Sequence, residues 1–320
     1  MVPEAVAVER CPPASGRIRT AVESPVRTAY QDERRALLEE ECSRLLDRHS
    51  SPPLSEMMSY SLAGGKRLRG LLLLAVAESC SGSRAQALEA AVAIELIHGA
   101  SLVVDDLPAV DDTAVRRGRP SLHRRFGDAA AILTAHALVA TAFEVLTRIP
   151  AEPQRTLRIT RRMATAIGAR GMALGELVEL HDPGESRNAV RALKTGSLFQ
   201  VAAEMGAVLA GAEGELPRDI RQLGRRLGFC YQIIDDLRDD LPEIPDPDGL
   251  WQEGRRCWRE CSGLFDDLRR RLPDARPLDE WLGSFRAAAE VVGLGSAVLT
   301  NDERFRPERG WKPRPRRGRG

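Results

Sequence analysis

With 320 residues, 47 basic side chains against 46 acidic ones and a formal charge of +1, the chain offers no overall electrostatic case for nucleic acid or any other polyanionic partner. It is 43% hydrophobic but only 4% aromatic, a balance that favours a helical protein with a sizeable core over a sandwich or barrel. No run of about 18 uncharged apolar residues occurs, the N-terminus lacks a basic-then-apolar layout, and the six cysteines (11, 42, 80, 230, 257 and 261) contain no CxxC pair. A membrane span, a signal peptide, a disulfide framework and a zinc site are not expected, and a reduced, cytoplasmic setting is.

Residues 1–27 are rich in Pro, Ser, Ala and charge without periodicity and read as a disordered leader. A charged amphipathic helix is expected from Thr28, with Leu37, Leu38, Leu45 and Leu46 on one side, ending at Ser51-Pro52-Pro53. The stretch SLAGGKRLRG from Ser61 to Gly70 then feeds a second apolar helix. A glycine pair at a helix start lets backbone amides approach an anion, and Lys66, Arg67 and Arg69 add charge. Taken alone, the stretch reads equally as an exposed basic loop. Lysine occurs only at 66, 194 and 312, so each lysine invites a specific reason.

Residues 84–106 read as one long apolar helix, kept slim by Ala90, Ala91, Ala93, Gly99, Ala100 and Ser101. His98 falls on nearly the same helical face as Asp105, as a core histidine or as a phosphate contact. The helix ends in Asp105 and Asp106, Asp111 and Asp112 follow a Leu-Pro-Ala-Val spacer, and then come Arg116 and Arg117. Carboxylates this close repel one another, and a helix C-terminus disfavours them further. A hard divalent cation such as Mg2+ would relieve both, since it binds carboxylates together with substrate phosphates. The arginines suit phosphate oxygens. A solvated acidic loop is the plain alternative.

Helical periodicity continues over Leu122–Leu146, over 155–181 with Glu176 and Glu179 as a polar face, and over Ser186–Ala210, which contains Lys194-Thr195-Gly196. The segment Asp219–Leu241 ends in Asp235, Asp236 and Asp239. On a helix, Asp239 shares a face with Asp235 or Asp236, so a pair can grip one cation. Residues 262–300 read as helices, and 301–320 as a basic, solvated, disordered tail. No strand-like alternation or repeat appears. The expectation is one all-α domain over 28–300, with short connections.

Jointly, GGKRLRG, DDLPAVD followed by RRGRPSLH, KTG and YQIIDDLRD resemble, in order and spacing over residues 55–240, the trans-isoprenyl diphosphate synthases of the polyprenyl synthetase family. The stretch HGASLVVDDLPAVDD is most similar to bacterial geranylgeranyl diphosphate synthases of carotenoid pathways. The resemblance implies a single-domain helical bundle of the isoprenoid synthase type around a central cavity. It implies Mg2+, roughly three ions per site, held by Asp105, Asp106 and Asp111 and by Asp235, Asp236 and Asp239. Arg116, Lys194, Thr195 and Gln232 match positions around the allylic diphosphate. Lys66, Arg69, His98 and Arg117 match the isopentenyl diphosphate site. The implied reaction is a head-to-tail condensation by Mg2+-assisted ionisation. The small Ala100 and Ser101 below the first motif point to a C20 product, with C15 the rival. A homodimer is implied as well.

Two other readings share the fold, a class I terpene cyclase and a non-catalytic partner subunit. The retained second basic pocket speaks against the first, and the two intact aspartate motifs against the second. Two departures stand out. After Asp240 the family's Gly-Lys elements are missing, with Arg255 and Arg256 at a different spacing. Gly70 replaces the usual proline.

Overall fold

A computed structural model describes residues 28–181, 190–239 and 246–294 of the chain. The expected leader and tail lie outside these residues. Helix α1 (Ala29–His49) starts where the Thr28 hydroxyl accepts the Gln31 amide, and it buries Leu38, Cys42, Leu45 and Leu46. Helix α2 (Leu54–Leu62) comes after the Pro52-Pro53 break. Helix α3 (Leu68–Ser79) is buried along most of its length. Leu72, Leu73 and Leu74 are at most 1% exposed, and the burial of each is worth about 1.5–3 kcal/mol.

Helix α4 (Arg84–Asp105) is the centre of the bundle. It is buried without interruption from Ala90 to Ile97, which a helix ringed by neighbours requires. It packs on α3, on α6 (Asp128–Arg148) and on α9 (Ser197–Leu209). By length and composition α4 and α6 are apolar enough to cross a membrane. Position in the bundle accounts for this in α4, two thirds of whose apolar window is buried (67%). Helix α6 packs on α4 through one face and leaves the other open.

Several expected helices divide. Gly127, at φ 88°, separates α5 (Leu122–Phe126) from α6. The helix expected over 155–181 is two, α7 (Pro153–Ile167) and α8 (Met172–His181), parted at Gly168–Gly171. The beginning of the helix expected from Ser186 lies outside the described residues. Its described part starts with α-helical Val190 and Arg191 and continues through a π-helical turn, Ala192–Gly196, that runs directly into α9. Helix α10 (Leu216–Asp239) carries the second aspartate group, and α11 (Pro247–Arg269) and α12 (Arg276–Val291) close the bundle. Between α9 and α12, Phe199, Tyr231, Trp258, Trp281 and Phe285 form a chain of ring contacts.

The expectation of no strand needs one correction. Val115–Arg116 pairs antiparallel with Arg119–Pro120. Arg117 (φ 53°) and Gly118 (φ 73°) form the turn, with the positive φ values of a tight two-residue hairpin. Strands of two residues are too short to show alternation. The remaining described elements make one all-α bundle, as expected.

Candidate active site

The four clustered carboxylates at and after the end of α4 do not act as one group. The Leu-Pro-Ala-Val spacer turns the chain back, and the Asp111 amide donates to the Asp105 carbonyl at 3.0 Å. These two residues therefore stay together. Asp106, only 3% exposed, turns the other way and takes a forked bond from Arg116, with Nε at 3.0 Å from Oδ1. Asp112 points outward to Arg124 at 2.9 Å. Burial pushes the Asp105 carboxyl up to about 7, with Glu176 and Asp111 adding to the rise and Lys194 and Arg116 opposing it. Asp111, more open to solvent, is raised too, chiefly by burial and by Glu179.

The π-helical turn brings the missing cation. Lys194 Nζ lies 2.7 Å from Glu176 and 2.7 Å from Glu179. Burial works against its charge, but Asp105 and the two glutamates outweigh burial and hold its pKa above the usual lysine value. Glu176 and Glu179 are therefore more than the polar helix face expected of them. They reach Lys194 because α8 crosses the turn at Gly175, where a Cβ would stand 2.8 Å from the Lys194 nitrogen. Gly228 of α10 abuts the other side, where a Cβ would lie 2.8 Å from the Gly196 Cα. Single π-turns are frequent at functional sites.

Thr195, the next residue, faces α10. Its hydroxyl donates to Gln232 Oε1 at 2.8 Å, and Gln232 Nε2 donates to Asp236 Oδ1 at 2.8 Å. The other oxygen of Asp236 receives Arg191 Nε at 2.9 Å and Nη2 at 2.6 Å. Arg191 is not among the site residues expected from the sequence. Asp235 stands beside Asp236 and supports the charge of Arg69 across the bundle. Asp239 ends α10, and its side chain lies outside the described ones.

A basic pocket adjoins these acids. Arg69 Nη1 lies 3.1 Å from His98 Nε2, and its guanidinium sits over the Phe199 ring at 4.7 Å. Arg117 donates to the carbonyls at the end of α2, at 3.0 Å for Ala63. Tyr60 fixes the hairpin that carries Arg116 and Arg117, donating to the Pro120 carbonyl at 2.8 Å under a stacked Arg119. Burial lowers the His98 pKa well below the usual range, and Arg69, Arg117, Arg67 and Arg116 depress it further. The Arg117 pKa falls to about 10, by burial first and then by Arg67. The acids that face this pocket include the buried Glu95, 3.6 Å from Arg67, and Glu39, 3.8 Å from Arg67 Nε, with Asp235 acting on Arg69. The Nε atoms of Arg67 and Arg69 are buried without a hydrogen-bond partner among the described residues. A pocket with this surplus of buried cations is built for an anion. Lys66 stands exposed on the loop above it.

The remaining expected residues fall into place unevenly. Ala100 is buried at 3% exposure, and the Ser101 hydroxyl donates to the His98 carbonyl at 2.9 Å. A cavity of 30 Å3 between α2, α4 and the hairpin has Leu102, Asp106, Arg116 and Arg117 among its lining. It has room for a group the size of water, not for a hydrocarbon chain. Arg255 stacks on Trp251 at 4.8 Å, and Arg256 pairs with Glu253 at 3.4 Å. Both are engaged on their own helix, and the segment 240–245 before it lies outside the described residues. Gly70 has its own reason. Its amide donates to Glu95 Oε1 at 2.9 Å, a bond that proline cannot make.

Among the described residues no three His, Cys, Asp or Glu side chains form a preformed metal cage. The donor set still fits Mg2+, which needs only one or two carboxylates and takes its other ligands from phosphate and water. Glu176 acts on Asp105 and Glu179 on Asp111, and both aspartates stay raised although Lys194 opposes the rise.

The family model for polyprenyl synthetases matches residues 51–242. The chain is 43% identical over 194 residues to a geranylgeranyl diphosphate synthase of Cereibacter sphaeroides, covering 59% of this chain and 65% of that one. It is 38% identical over 198 residues to the chloroplastic geranylgeranyl pyrophosphate synthase 12 of Arabidopsis thaliana, covering 58% of this chain. The chain spans little more than half of that relative's length, 55%. A solved structure of an FPP/GFPP synthase from Zymomonas mobilis superposes with a TM-score of 0.69 at 27% identity, over 80% of this chain and 99% of the other.

Proposed function

The chain belongs to the polyprenyl synthetase family, and from that membership we propose that it is a prenyltransferase joining isopentenyl diphosphate head-to-tail to an allylic diphosphate. The observation that carries the reading is the nearness of two sites of opposite sign. His98 and Asp105 are both on α4, seven residues and so about 10 Å apart along its axis. The acidic side suits a diphosphate that arrives with metal, and the basic side suits one that arrives without. A cyclase, which binds a single diphosphate, has no use for the second.

In this reading Asp105, Asp106, Asp111, Asp235, Asp236 and Asp239 hold Mg2+, which when bound neutralises charge building on the departing diphosphate. Lys194, Arg116, Thr195 and Gln232 orient that diphosphate. Arg116 and Arg191 are paired to Asp106 and Asp236, so they exchange a carboxylate for a phosphate oxygen as substrate enters. Lys66, Arg69, His98 and Arg117 fix the second substrate, whose double bond attacks the allylic carbon as its C–O bond breaks. A proton then passes to the released diphosphate, which completes the new double bond. Positioning supplies much of the acceleration, and the apolar surroundings exclude water.

The product of this proposal is C20 geranylgeranyl diphosphate. The small Ala100 and Ser101 and the names of the bacterial and plant relatives support it. C15 farnesyl diphosphate is the alternative, favoured by the name of the Zymomonas neighbour. A homodimer is part of the proposal. Helix α6 exposes Ala129, Ile132, Leu133, His136 and Ala140 along one stripe, with Ile132 and Leu133 at 53% and 60%, and a second copy would cover it. The cytoplasm is the proposed location, whereas the name of the plant relative says chloroplastic.

The test is to incubate purified protein with Mg2+, isopentenyl diphosphate and a C5, C10 or C15 allylic diphosphate, and to size the products. Chain elongation is expected. Hydrocarbon released without isopentenyl diphosphate would replace the proposal with a cyclase, and no turnover of any substrate would leave a partner subunit.

A further inference from the structure

Away from the aspartates, α7 and α10 both pack on α9 and not closely on each other, so they wall a furrow whose floor is α9. Glu204 lies in that floor, nine residues and about 14 Å along the helix axis from Thr195. It is 2% exposed within the buried run Val201–Leu209, whose other members are apolar. A carboxylate there needs a cation, because an unpaired buried charge is costly. Three guanidinium groups come to it from the two walls. Arg158 Nη2 and Arg162 Nε, from α7, stand 3.0 Å and 3.1 Å from Oε1. Arg221 Nη1, from α10, stands 3.9 Å from Oε2, beyond hydrogen-bond reach. One guanidinium neutralises one carboxylate, so two positive charges are left over. The other acids of this neighbourhood do not supply the balance. Glu152 is 3.8 Å from Arg155, Glu215 is 3.2 Å from Arg218, Asp219 is 2.6 Å from Arg271, and Glu213 stands exposed in the loop beyond α9. Arg225 adds an exposed charge one turn beyond Arg221. Unlike the buried Glu204, the side chains of Arg158, Arg162 and Arg221 are 46%, 42% and 28% exposed, so solutes reach them.

We propose that this furrow is a second anion site, outside the catalytic one, for a phosphate-bearing ligand. Each guanidinium offers five N–H groups in a planar fork, and the hydrogen bonds to Glu204 occupy one of them on Arg158 and one on Arg162. The rest suit phosphate oxygens, which guanidinium binds in pairs. Glu204 already gathers the three arginines on one spot, so a ligand is spared the entropy cost of ordering them. Two surplus charges match a phosphate group that carries two negative ones. The source is either inorganic diphosphate, which the reaction proposed above releases at each turnover, or the headgroup of an anionic phospholipid. Arginines present only to neutralise Glu204 would differ in one respect. At an anion site the carboxylate competes with the incoming phosphate for the same N–H groups, so removing its charge strengthens binding. In a purely structural cluster the same change creates no affinity.

The test uses the full chain without Mg2+ and follows arginine modification by phenylglyoxal, read peptide by peptide in mass spectrometry. One arm adds sodium diphosphate. The other adds phosphatidylglycerol vesicles, with phosphatidylcholine vesicles as the uncharged control. Arg158, Arg162 and Arg221 should be protected, whereas Arg270, 71% exposed and paired with Asp267, should not. Protection by diphosphate identifies the free ion as the source, and protection by phosphatidylglycerol alone identifies the headgroup. Glu204→Gln, checked for folding by circular dichroism, should lower the half-protecting concentration of the effective probe about three- to tenfold. If that variant does not fold, the protection pattern of the parent decides. No protection in either arm, equal protection of Arg270, or an unchanged half-protecting concentration in folded Glu204→Gln would each overturn the proposal. None of these readings depends on turnover, so they stand or fall apart from the prenyltransferase assignment.

Discussion

Lys194 and Thr195 are neighbours in one π-helical turn, yet they serve different carboxylate groups. Lys194 Nζ is 2.7 Å from Glu176 and 2.7 Å from Glu179, and Asp105 supports its charge. Thr195 reaches Asp236 through Gln232 in two bonds of 2.8 Å. A single peptide unit thus connects the acids that come after α4 with those that end α10, and the turn sets the separation between them. Replacing Lys194 with Ala leaves Asp105, Asp111, Glu176 and Glu179 facing one another without this cation. Prenyl transfer is expected to fall about 10^2–10^3-fold in kcat. Lys194→Arg should not restore it, because a planar fork cannot replace a compact ammonium between two glutamates. Steady-state rates of both variants at saturating Mg2+ check this, and full activity of the arginine variant would count against the assigned role.

The carboxylates after α4 should separate by function as they separate in space. Asp105→Ala, and Asp235→Ala on α10, are expected to lower turnover by about 10^2–10^4 with the helical circular dichroism unchanged. Asp112→Ala should stay within a few-fold of the parent, since Asp112 pairs with the outward Arg124 at 2.9 Å and with His123 at 3.8 Å, neither of them assigned to a diphosphate. If the Asp112 variant lost as much activity as the Asp105 variant, the division of this cluster into metal-facing and outward groups would be wrong.

His98 predicts a pH dependence of stability. An unfolded histidine titrates near 6.5, and burial with four nearby arginines puts the folded value well below that. Below pH 6.5 the unfolded chain therefore binds a proton that the folded chain refuses. Stability then rises with pH across this window, and it is lost as pH falls from 6.5 toward the folded pKa. His98→Gln removes the contribution. Between pH 7 and pH 5 the melting temperature of the variant should drop less than that of the parent. Parallel melting curves in both proteins measure it, and identical slopes would show that His98 is protonated alike in both states.

Much of this site was legible because its signals are local. The Asp-rich run after α4, the glycine-led basic loop and the D-D-x-x-D at the end of α10 each declare themselves within ten or so residues. Their partners do not. Arg191 bonds Asp236 from 45 residues away, and in a chain with so many arginines its type carries no signal. Glu176 and Glu179 read as a solvated face because nothing local reveals that Gly175 brings α8 against the π-turn. The division of Asp105 and Asp111 from Asp106 depends on one backbone bond across the spacer. The helix breaks at Gly127 and Gly168 escape a reading by periodicity because the apolar pattern resumes directly after each.

Ala100→Tyr tests where the product chain is limited. Ala100 is 3% exposed on α4, one turn before Asp105 and against the tightly packed interior. A tyrosine there must intrude on whatever space the growing chain occupies, at a stability cost of about 1–3 kcal/mol from overpacking. The product distribution should shift from C20 to C15 or shorter, read by chromatography of the dephosphorylated alcohols. An unaltered distribution in a folded variant would place the limit elsewhere along the bundle.

The outer stripe of α6 makes the last prediction. A helix with a mean hydropathy of 1.8 and 44% of its apolar window buried leaves unusual apolar surface to water. Ile132 and Leu133 supply it, and Leu157 on the adjoining α7 adds a further side chain at 62% exposure. Scattered exposed leucines need no explanation, but a stripe at helical spacing points to a partner surface. If that partner is a second copy, the same residues face themselves across a two-fold axis, and each charge introduced in one chain appears twice at the interface. Ile132→Lys with Leu133→Glu should therefore convert a dimer to a monomer in sedimentation velocity. The parent sedimenting as a monomer throughout the micromolar range would remove the second copy as the occupant of this face.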